Sequence, residues 1–498
     1  MPRERPHILL ILTDDHAAHA VGAYGSVVNR TPRIDEIAAA GVRFERCYVT
    51  NSLCAPSRAS ILTGTYSHVN GVRTLVTHID ASQPTFVTQL REAGYRTAIV
   101  GKWHMGDGET DGVSHDPQGF DYWDVLIDQG EYFDPRFLSA EGLRVEPGYA
   151  TDVITDLSLR WLDSLDEDAP WCLLVCHKAP HRSWEPDEAH AGLYAGPVPV
   201  PSTFTDDLAT RSDSARRAAM RIADHLSAED LKQPVPDGLS AEEEALWKYQ
   251  RYMEDYLACV ASVDDNVGRV TDWLRERDLL DDTLLIYTSD QGFFLGDHGW
   301  FDKRFMYEES LLMPLVMSCP TRVAAGQVHG GIVTNVDFAP TLLDAAGVAP
   351  HPRMQGRSFW SDVTGAGTGL PPTEGMYYRY WEHDDPSHRA PAHYGYTDGR
   401  HKIIYFYNDG LGIPGCGPHV HPPEWELYDL VADPDEVRNV ADDPAYADVR
   451  RDLERRLWDA QAEVGDEPHP SQPAPASSVV EEGRHGPSRN LRGFRDGR

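Results

Sequence analysis

Four short apolar runs of this chain each end in residues that can do chemistry. "HILLIL" (7–12) is followed by Thr13, Asp14 and Asp15, and "RTAIV" (96–100) by "GKWHMG", with Lys102 and His104. "WCLLVC" is followed by "HKAPH", with His177, Lys178 and His181, and "TLLIYTS" (283–289) by Asp290 and Gln291, then by "GDHGWFDKRF", with His298 and Lys303. Asp14, Asp15, Asp290 and Gln291 are oxygen donors of the kind that suits a hard divalent cation, calcium or magnesium, rather than zinc or copper. A single Asp-Asp after a strand usually caps a helix or solvates a loop, but two acidic sites at two strand ends weaken that explanation. Lys102, His104, Lys178, His181, His298, Lys303 and Arg58 form a cationic set. Each alone is ordinarily a solvated surface charge; together they would make a basic pocket for an anionic group.

The stretch "NSLCAPSRASILTG" (51–64) adds a nucleophile. Pro56 suits the first turn of a helix and Gly64 its end, so Cys54 falls at or just ahead of a helix N-terminus. Backbone N–H groups and the helix dipole favour an anion there, and Arg58 lies one turn on. The same location would activate a thiolate. A soft thiolate is nevertheless mismatched to a hard cation, and an inert buried cysteine is the plain alternative. Residue types and spacing leave these readings open.

The elements that must position these residues follow an α/β alternation. "TPRIDEIAAAG" (31–41) predicts a helix with Thr31 as N-cap, and "TFVTQLREAG" (85–94) repeats the design. "ITDLSLRWLDSL", residues 241–277 and "VDFAPTLLDAAG" (336–347) are further helical patterns. In an open parallel sheet ligands bind beyond the carboxyl ends of the strands, so four strands would deliver polar groups to one edge. Residues 185–240 look like a surface insertion and 361–373 like a linker. The predicted organisation is a catalytic unit over 1–370, a smaller α+β domain over 371–465 and a disordered tail from 466 to 498.

Of the 498 residues, 45 are basic and 79 acidic, a net charge of −34. Nucleic acid and anionic membrane are therefore not expected partners, whereas a small anion in a local basic pocket is. Seven scattered cysteines fit a reducing compartment better than a disulfide framework. Cys172 and Cys176 read as buried strand residues. The run "ILLIL" is too short for a signal sequence and ends in two aspartates, and no run reaches spanning length, so the expectation is a cytoplasmic protein.

"CAPSRASILTG" resembles the signature of the type I sulfatases, C-x-P-S-R followed by a Thr-Gly end, and "GKWHMG", "KAPH", "TSDQGFFLGDHGWFDKRFMYEES" and "WELYDLVADPDEVRNV" resemble further sulfatase segments. The resemblance spans most of residues 5–465. It implies an alkaline phosphatase-like fold: a large mixed, mostly parallel sheet flanked by helices, with a smaller C-terminal domain. It also implies that Cys54 is oxidised to formylglycine by a maturation enzyme, and that the hydrated aldehyde is the nucleophile, which removes the soft–hard conflict. Asp14, Asp15, Asp290, Gln291 and the converted residue 54 would ligate calcium. Arg58 would stabilise the hydrate, and Lys102, His181 and Lys303 would hold sulfate oxygens, with His181 or Lys303 as the acid. His104 would be the base. His177, Lys178, His298 and His393 have weaker claims, on the substrate side.

The implied activity is hydrolysis of a sulfate monoester. "DKRFMYE" resembles glucosamine-6-sulfatases and mucin-desulfating relatives, which points to a 6-O-sulfated amino sugar. The aromatics of "MYYRYWEH" and "AHYGYTD" could stack on a sugar or pack the small domain. Two rivals stand: a phosphodiesterase or phosphonate monoester hydrolase of the same superfamily, against which Lys102 and His104 speak, and a non-catalytic anion binder with Cys54 unmodified.

Overall fold

The computed structural model describes residues 3–166, 169–365 and 373–475. Ten strands form one sheet: β1 (His7–Thr13), β2 (Val42–Tyr48), β3 (Arg96–Lys102), β4 (Tyr122–Leu126), β5 (Arg136–Ser139), β6 (Gly142–Val145), β7 (Trp171–Cys176), β8 (Thr283–Ser289), β9 (Leu315–Ser318) and β10 (Gln327–Thr334). Their spatial order is β10-β2-β9-β8-β1-β7-β3-β4-β5-β6. The run β8-β1-β7-β3-β4 is parallel, while β9 and β5 enter antiparallel on either side. Every residue of β1, β7 and β8 is buried, as expected of strands covered on both faces. Alternate side chains feed different cores: Ile8, Leu10 and Leu12 join one cluster, Leu9 and Ile11 the other.

Register places the chemistry. Thr13 pairs with Ser289, Leu12 with Cys176 and Gly101 with Cys176, so Asp14, Asp290, His177 and Lys102 follow at one level on one edge. Gly101 has φ of 106°, and a Cβ there would collide with the Cys176 carbonyl oxygen. Only glycine lets β3 lie that close to β7 and bring Lys102 to the edge.

The helix Ala241–Glu276 opens with a Ser240/Glu243 capping box and buries a long stripe against one face. It also caps another helix. Thr31 does not cap Pro32–Ala40; instead the Asp264 carboxylate accepts from the Arg33 N–H at 3.1 Å and the Ile34 N–H at 2.9 Å, while Thr31 Oγ1 bonds Asp35 at 3.0 Å. The cap predicted locally is supplied from across the fold.

The smaller C-terminal domain is an antiparallel sheet, β11 (Met376–Tyr380), β12 (His393–Thr397), β13 (His401–Phe406) and β14 (Glu424–Asp429), covered by the helix Ala447–Val464. Tyr377, Tyr378, Tyr380, Trp381, Tyr394 and Tyr396 are all buried, so those aromatics pack the domain. Two boundaries differ from expectation. Residues 466–475 do not belong to a free tail: Asp466 bonds Tyr377 at 2.6 Å and Arg379 at 2.8 Å, and Gln472 bonds Tyr394 at 2.5 Å; residues 476–498 lie outside the described residues. The segment 185–240 is more than a surface insertion, since Leu208, Ala215, Met220 and Ile222 are buried and Ser212 bonds Glu426 of β14 at 2.7 Å. Of the linker, Trp360–Thr364 is helical and 366–372 lie outside the described residues. Among the described residues no helix is long and apolar enough to cross a membrane.

Asp264→Ala should destabilise the protein by about 1–2 kcal/mol, because it removes a helix cap at a distance. Urea denaturation of the variant would show this as a lower midpoint at unchanged slope.

Candidate active site

Cys54 is the first residue of the helix Cys54–Thr63, whose residues are all buried and which ends at Gly64 with φ of 62°. That helix aims residue 54 at the carboxyl edge of the sheet. The Cys54 Sγ lies 3.1 Å from Asp14 Oδ1, 3.5 Å from Lys303 Nζ and 3.6 Å from Gln291 Nε2. Each carboxylate of the centre has its own cation. Asp14 pairs with Lys102; Asp15 accepts from Lys303 Nζ at 2.6 and 2.7 Å; Asp290 accepts from Arg58 Nε at 2.9 Å. The Asp15 N–H also approaches Asp290 Oδ1 at 3.3 Å, with Asp15 itself at φ of 70°.

The electrostatics follow. Burial opposes ionisation of Asp14, yet Lys102, His181, Arg58 and Lys303 together hold its carboxyl well below the usual range. Burial pushes Asp15 up to about 6 and, with Asp14 beside it, Asp290 up to about 7. Burial and the Asp14 charge push the Cys54 thiol far above its ordinary value, so the unmodified side chain is a thiol here, not a nucleophilic thiolate.

Asp14, Asp15 and Asp290 offer carboxylate oxygens that all lie within 4.8 Å of one another. The Gln291 Oε1 is buried without a hydrogen-bond partner among the described residues. Three carboxylates and a spare amide oxygen at one point fit a hard divalent cation; the sulfur of Cys54 does not fit, but an oxygen in its place would.

The remaining predicted residues divide. His181 is at the centre: its Nε2 lies 3.8 Å from Asp15 Oδ2, and its Nδ1–H donates to the Arg182 carbonyl at 2.7 Å. His104 is buried, its Nδ1 lacks a partner among the described residues and its Nε2 lies 3.6 Å from Asp128; burial and the Lys102 charge hold both His104 and His181 well below the ordinary histidine value. Lys178 donates to the Gln129 and Arg182 carbonyls, each at 3.3 Å, and burial brings it down to about 8. His177 is buried, and no charge of the centre acts on it; burial alone lowers it to about 3.

His298 and His393 are corrections. His298 is sealed among Phe294, Trp300 and Tyr307, bonded to Asp206 at 3.1 Å and Arg211 at 3.2 Å. His393 is fully buried between Phe305, Tyr378 and Phe406, with Nδ1 bonded to the Pro391 carbonyl at 2.7 Å. Both side chains are fully buried, and among the described residues neither bonds Cys54 or the three carboxylates.

The structure adds residues that spacing missed. Gln129 accepts from Lys102 at 2.5 Å. Flanking Lys303, Asp302 and Arg304 meet His388 from the small domain: His388 Nε2 lies 3.3 Å from Asp302 Oδ2 and 3.3 Å from Arg304 Nη2, while its Nδ1 bonds Asp385 at 2.9 Å. The "DKR" triplet was visible; His388 was not, because only the packing of two distant segments brings it there.

A family model described as Sulfatase matches residues 6–348, and a second, described as N-sulphoglucosamine sulphohydrolase, C-terminal, matches 296–463. An N-acetylglucosamine-6-O-sulfatase of Bacteroides thetaiotaomicron is 39% identical, over 93% of this chain and 87% of its own length. A solved structure of a protein in complex with its substrate, D-glucosamine-2-N,6-O-disulfate, superposes with a TM-score of 0.86 at 38% identity, covering 93% of this chain and 98% of that one. A phosphonate monoester hydrolase of Agrobacterium radiobacter superposes with a TM-score of 0.71 at 23% identity over 92% of this chain and 96% of its own, which shows a shared fold.

A hard divalent cation should raise the unfolding temperature of the wild-type chain, by the equivalent of about 2.7 kcal/mol at a free concentration of about 100 times Kd. Asp290→Asn should abolish that shift in differential scanning fluorimetry; an undiminished shift would place the cation elsewhere.

Proposed function

The chain belongs to the sulfatase family, and from that premise we propose that it cleaves the 6-O-sulfate ester of an amino sugar, with calcium as its metal and residue 54 as formylglycine. The observation that carries this reading is the convergence of three buried carboxylates and three buried cations on residue 54. Calcium, held by Asp14, Asp15, Asp290, Gln291 and the converted residue 54, would lower the cost of negative charge on oxygen. Formylglycine, once hydrated, would supply an oxygen nucleophile where a thiol is out of place.

The chain's own side chains do the rest. Lys102, at the end of β3, and Lys303, in the chain that follows β8, carry the charge that sulfate oxygens need. The Arg58 Nη2 is buried without a hydrogen-bond partner among the described residues and is available to a polar group beside Asp290. His181 has its Nδ1–H committed to a carbonyl, so Nε2 is the free position of the ring; it serves the leaving alcohol oxygen only as the imidazolium, after Nε2 has taken up a proton from solvent beside the bound anionic sulfate, while Lys303 is held by both Asp15 oxygens and is the poorer donor. His104, kept neutral by burial and Lys102, takes up the proton released at residue 54.

The substrate class rests on a second feature. Asp302, Arg304, Asp385 and His388 form a charged, mostly buried cluster next to Lys303, suited to hydroxyls of a sugar ring whose sulfate sits on Lys303. The B. thetaiotaomicron relative and the solved complex support a glucosamine 6-O-sulfate. The phosphonate monoester hydrolase shares the fold, so the fold does not separate the two chemistries; the Lys102 and His104 pair favours sulfate. A non-catalytic anion binder would retain Cys54 unmodified. Because Cys54 is 1% exposed, a maturation enzyme would have to act before this helix is buried. The catalytic unit is 1–370 and the smaller domain 371–465, with 466–475 docked on the latter, and the seven free cysteines support the cytoplasm.

Steady-state kinetics test this. N-acetylglucosamine 6-sulfate should be turned over in preference to a phenyl phosphonate ester; the reverse preference would overturn the sulfatase reading of the substrate. His388→Ala should lower kcat/KM on the sugar sulfate by about 10- to 100-fold, the worth of hydrogen bonds to a charged group, and leave nitrophenyl sulfate turnover nearly unchanged. An equal loss on both would remove the cluster from substrate recognition.

A further inference from the structure

The loop that carries Lys178 and His181 is held by residues outside the centre, and we propose that Arg182 and Asp230 are positioning residues that fix the His181 imidazole. The Arg182 carbonyl is a shared acceptor, receiving the His181 Nδ1–H at 2.7 Å and the Lys178 ammonium at 3.3 Å. Where that carbonyl points decides which edge of the imidazole faces the pocket. Its own side chain is tied down: Arg182 Nε donates to Asp230 Oδ1 at 2.6 Å, and Nη2 donates to Oδ2, a two-bond fork that fixes direction as well as distance. The guanidinium also lies 5.1 Å over the Phe301 ring, and Phe301 immediately precedes Asp302 and Lys303.

Asp230 is itself buried and bonded. It is 2% exposed, and its carboxylate closes a capping box with Ser227 in the short helix Ala228–Leu231. The next turn of chain adds a second tie, since Lys232 Nζ donates to the Ser183 carbonyl at 2.7 Å and the Trp184 carbonyl at 3.0 Å. From the other side, the Tyr132 hydroxyl donates to the His181 carbonyl at 2.5 Å. The segment 185–240 therefore fastens one wall of the pocket. The consequence for rate rests on the reading of His181 as the proton donor; the positioning itself does not.

The test is a double-mutant cycle in kcat on N-acetylglucosamine 6-sulfate with the matured full chain: wild type, Arg182→Lys, His181→Gln and the pair. Lysine keeps the charge over Phe301 but cannot make the fork to Asp230. Arg182→Lys should lower kcat by about 10- to 100-fold with KM little changed, the cost of a misplaced group, and should cost almost nothing further when His181 is already glutamine. A full loss on the His181→Gln background, or no loss on the wild-type background, overturns the proposal. Asp230→Asn runs the same cycle should Arg182→Lys not fold. A separate arm compares the sugar ester with nitrophenyl sulfate, whose leaving group needs no proton. His181→Gln should penalise the sugar ester more, and Arg182→Lys should share that bias in weaker form. Equal penalties for His181→Gln would overturn its role as donor, while the coupling between positions 181 and 182 would still decide the positioning.

Discussion

Six ionisable groups, Asp14, Asp15, Asp290, Arg58, Lys102 and Lys303, are each no more than 2% exposed around one cysteine. Taking a single charge out of water costs several kcal/mol, so the cluster exists only because each carboxylate has a cation within bonding reach. The pairing is unequal, which is why Asp14 is held low while Asp15 and Asp290 are pushed to about 6 and 7. With all three carboxylates ionised, the set balances at three charges of each sign. A divalent cation and a singly charged sulfate monoester entering together add one net positive charge to the set, which favours the doubly charged sulfate that hydrolysis releases. The lysines that neutralise the carboxylates are then the groups placed to receive the anion.

Much of the rest of the fold serves to hold this cluster in register. Parallel pairing brings the ends of β1, β3, β7 and β8 to one level, and Gly101 permits the close contact between β3 and β7 that carries Lys102 into line. The antiparallel domain brings His388 to Asp302, the residue before Lys303, and the 185–240 segment braces the loop of His181. Regions that look peripheral in sequence thus border the centre.

What could be read from the chain depended on whether the signal was local. Strand runs followed by Asp14, Lys102, Lys178 and Asp290 were legible because burial on both faces writes a continuous apolar run and a strand end is where polar residues return. The helix after Cys54 was legible from Pro56 and Gly64. Histidine roles were not: His298 and His393 have the same side chain as His181, and only packing tells a residue sealed among aromatics from one facing a pocket. The Asp264 cap on the helix Pro32–Ala40 and the meeting of His388 with Asp302 arise between segments far apart in sequence, so no spacing rule reaches them. The tail boundary at 466 was misplaced because a few polar residues on an otherwise disordered-looking composition suffice to dock on buried tyrosines.

The central claim is that residue 54 acts as an oxygen group, not as a thiol. The most direct measurement is the mass of the peptide spanning residue 54, taken from active protein purified from its native host. Conversion of cysteine to formylglycine replaces the thiol carbon by an aldehyde and lowers the mass by about 18 Da. The account predicts that the lighter peptide is present and that its fraction scales with specific activity across preparations. Full activity from protein in which residue 54 is wholly cysteine would contradict it.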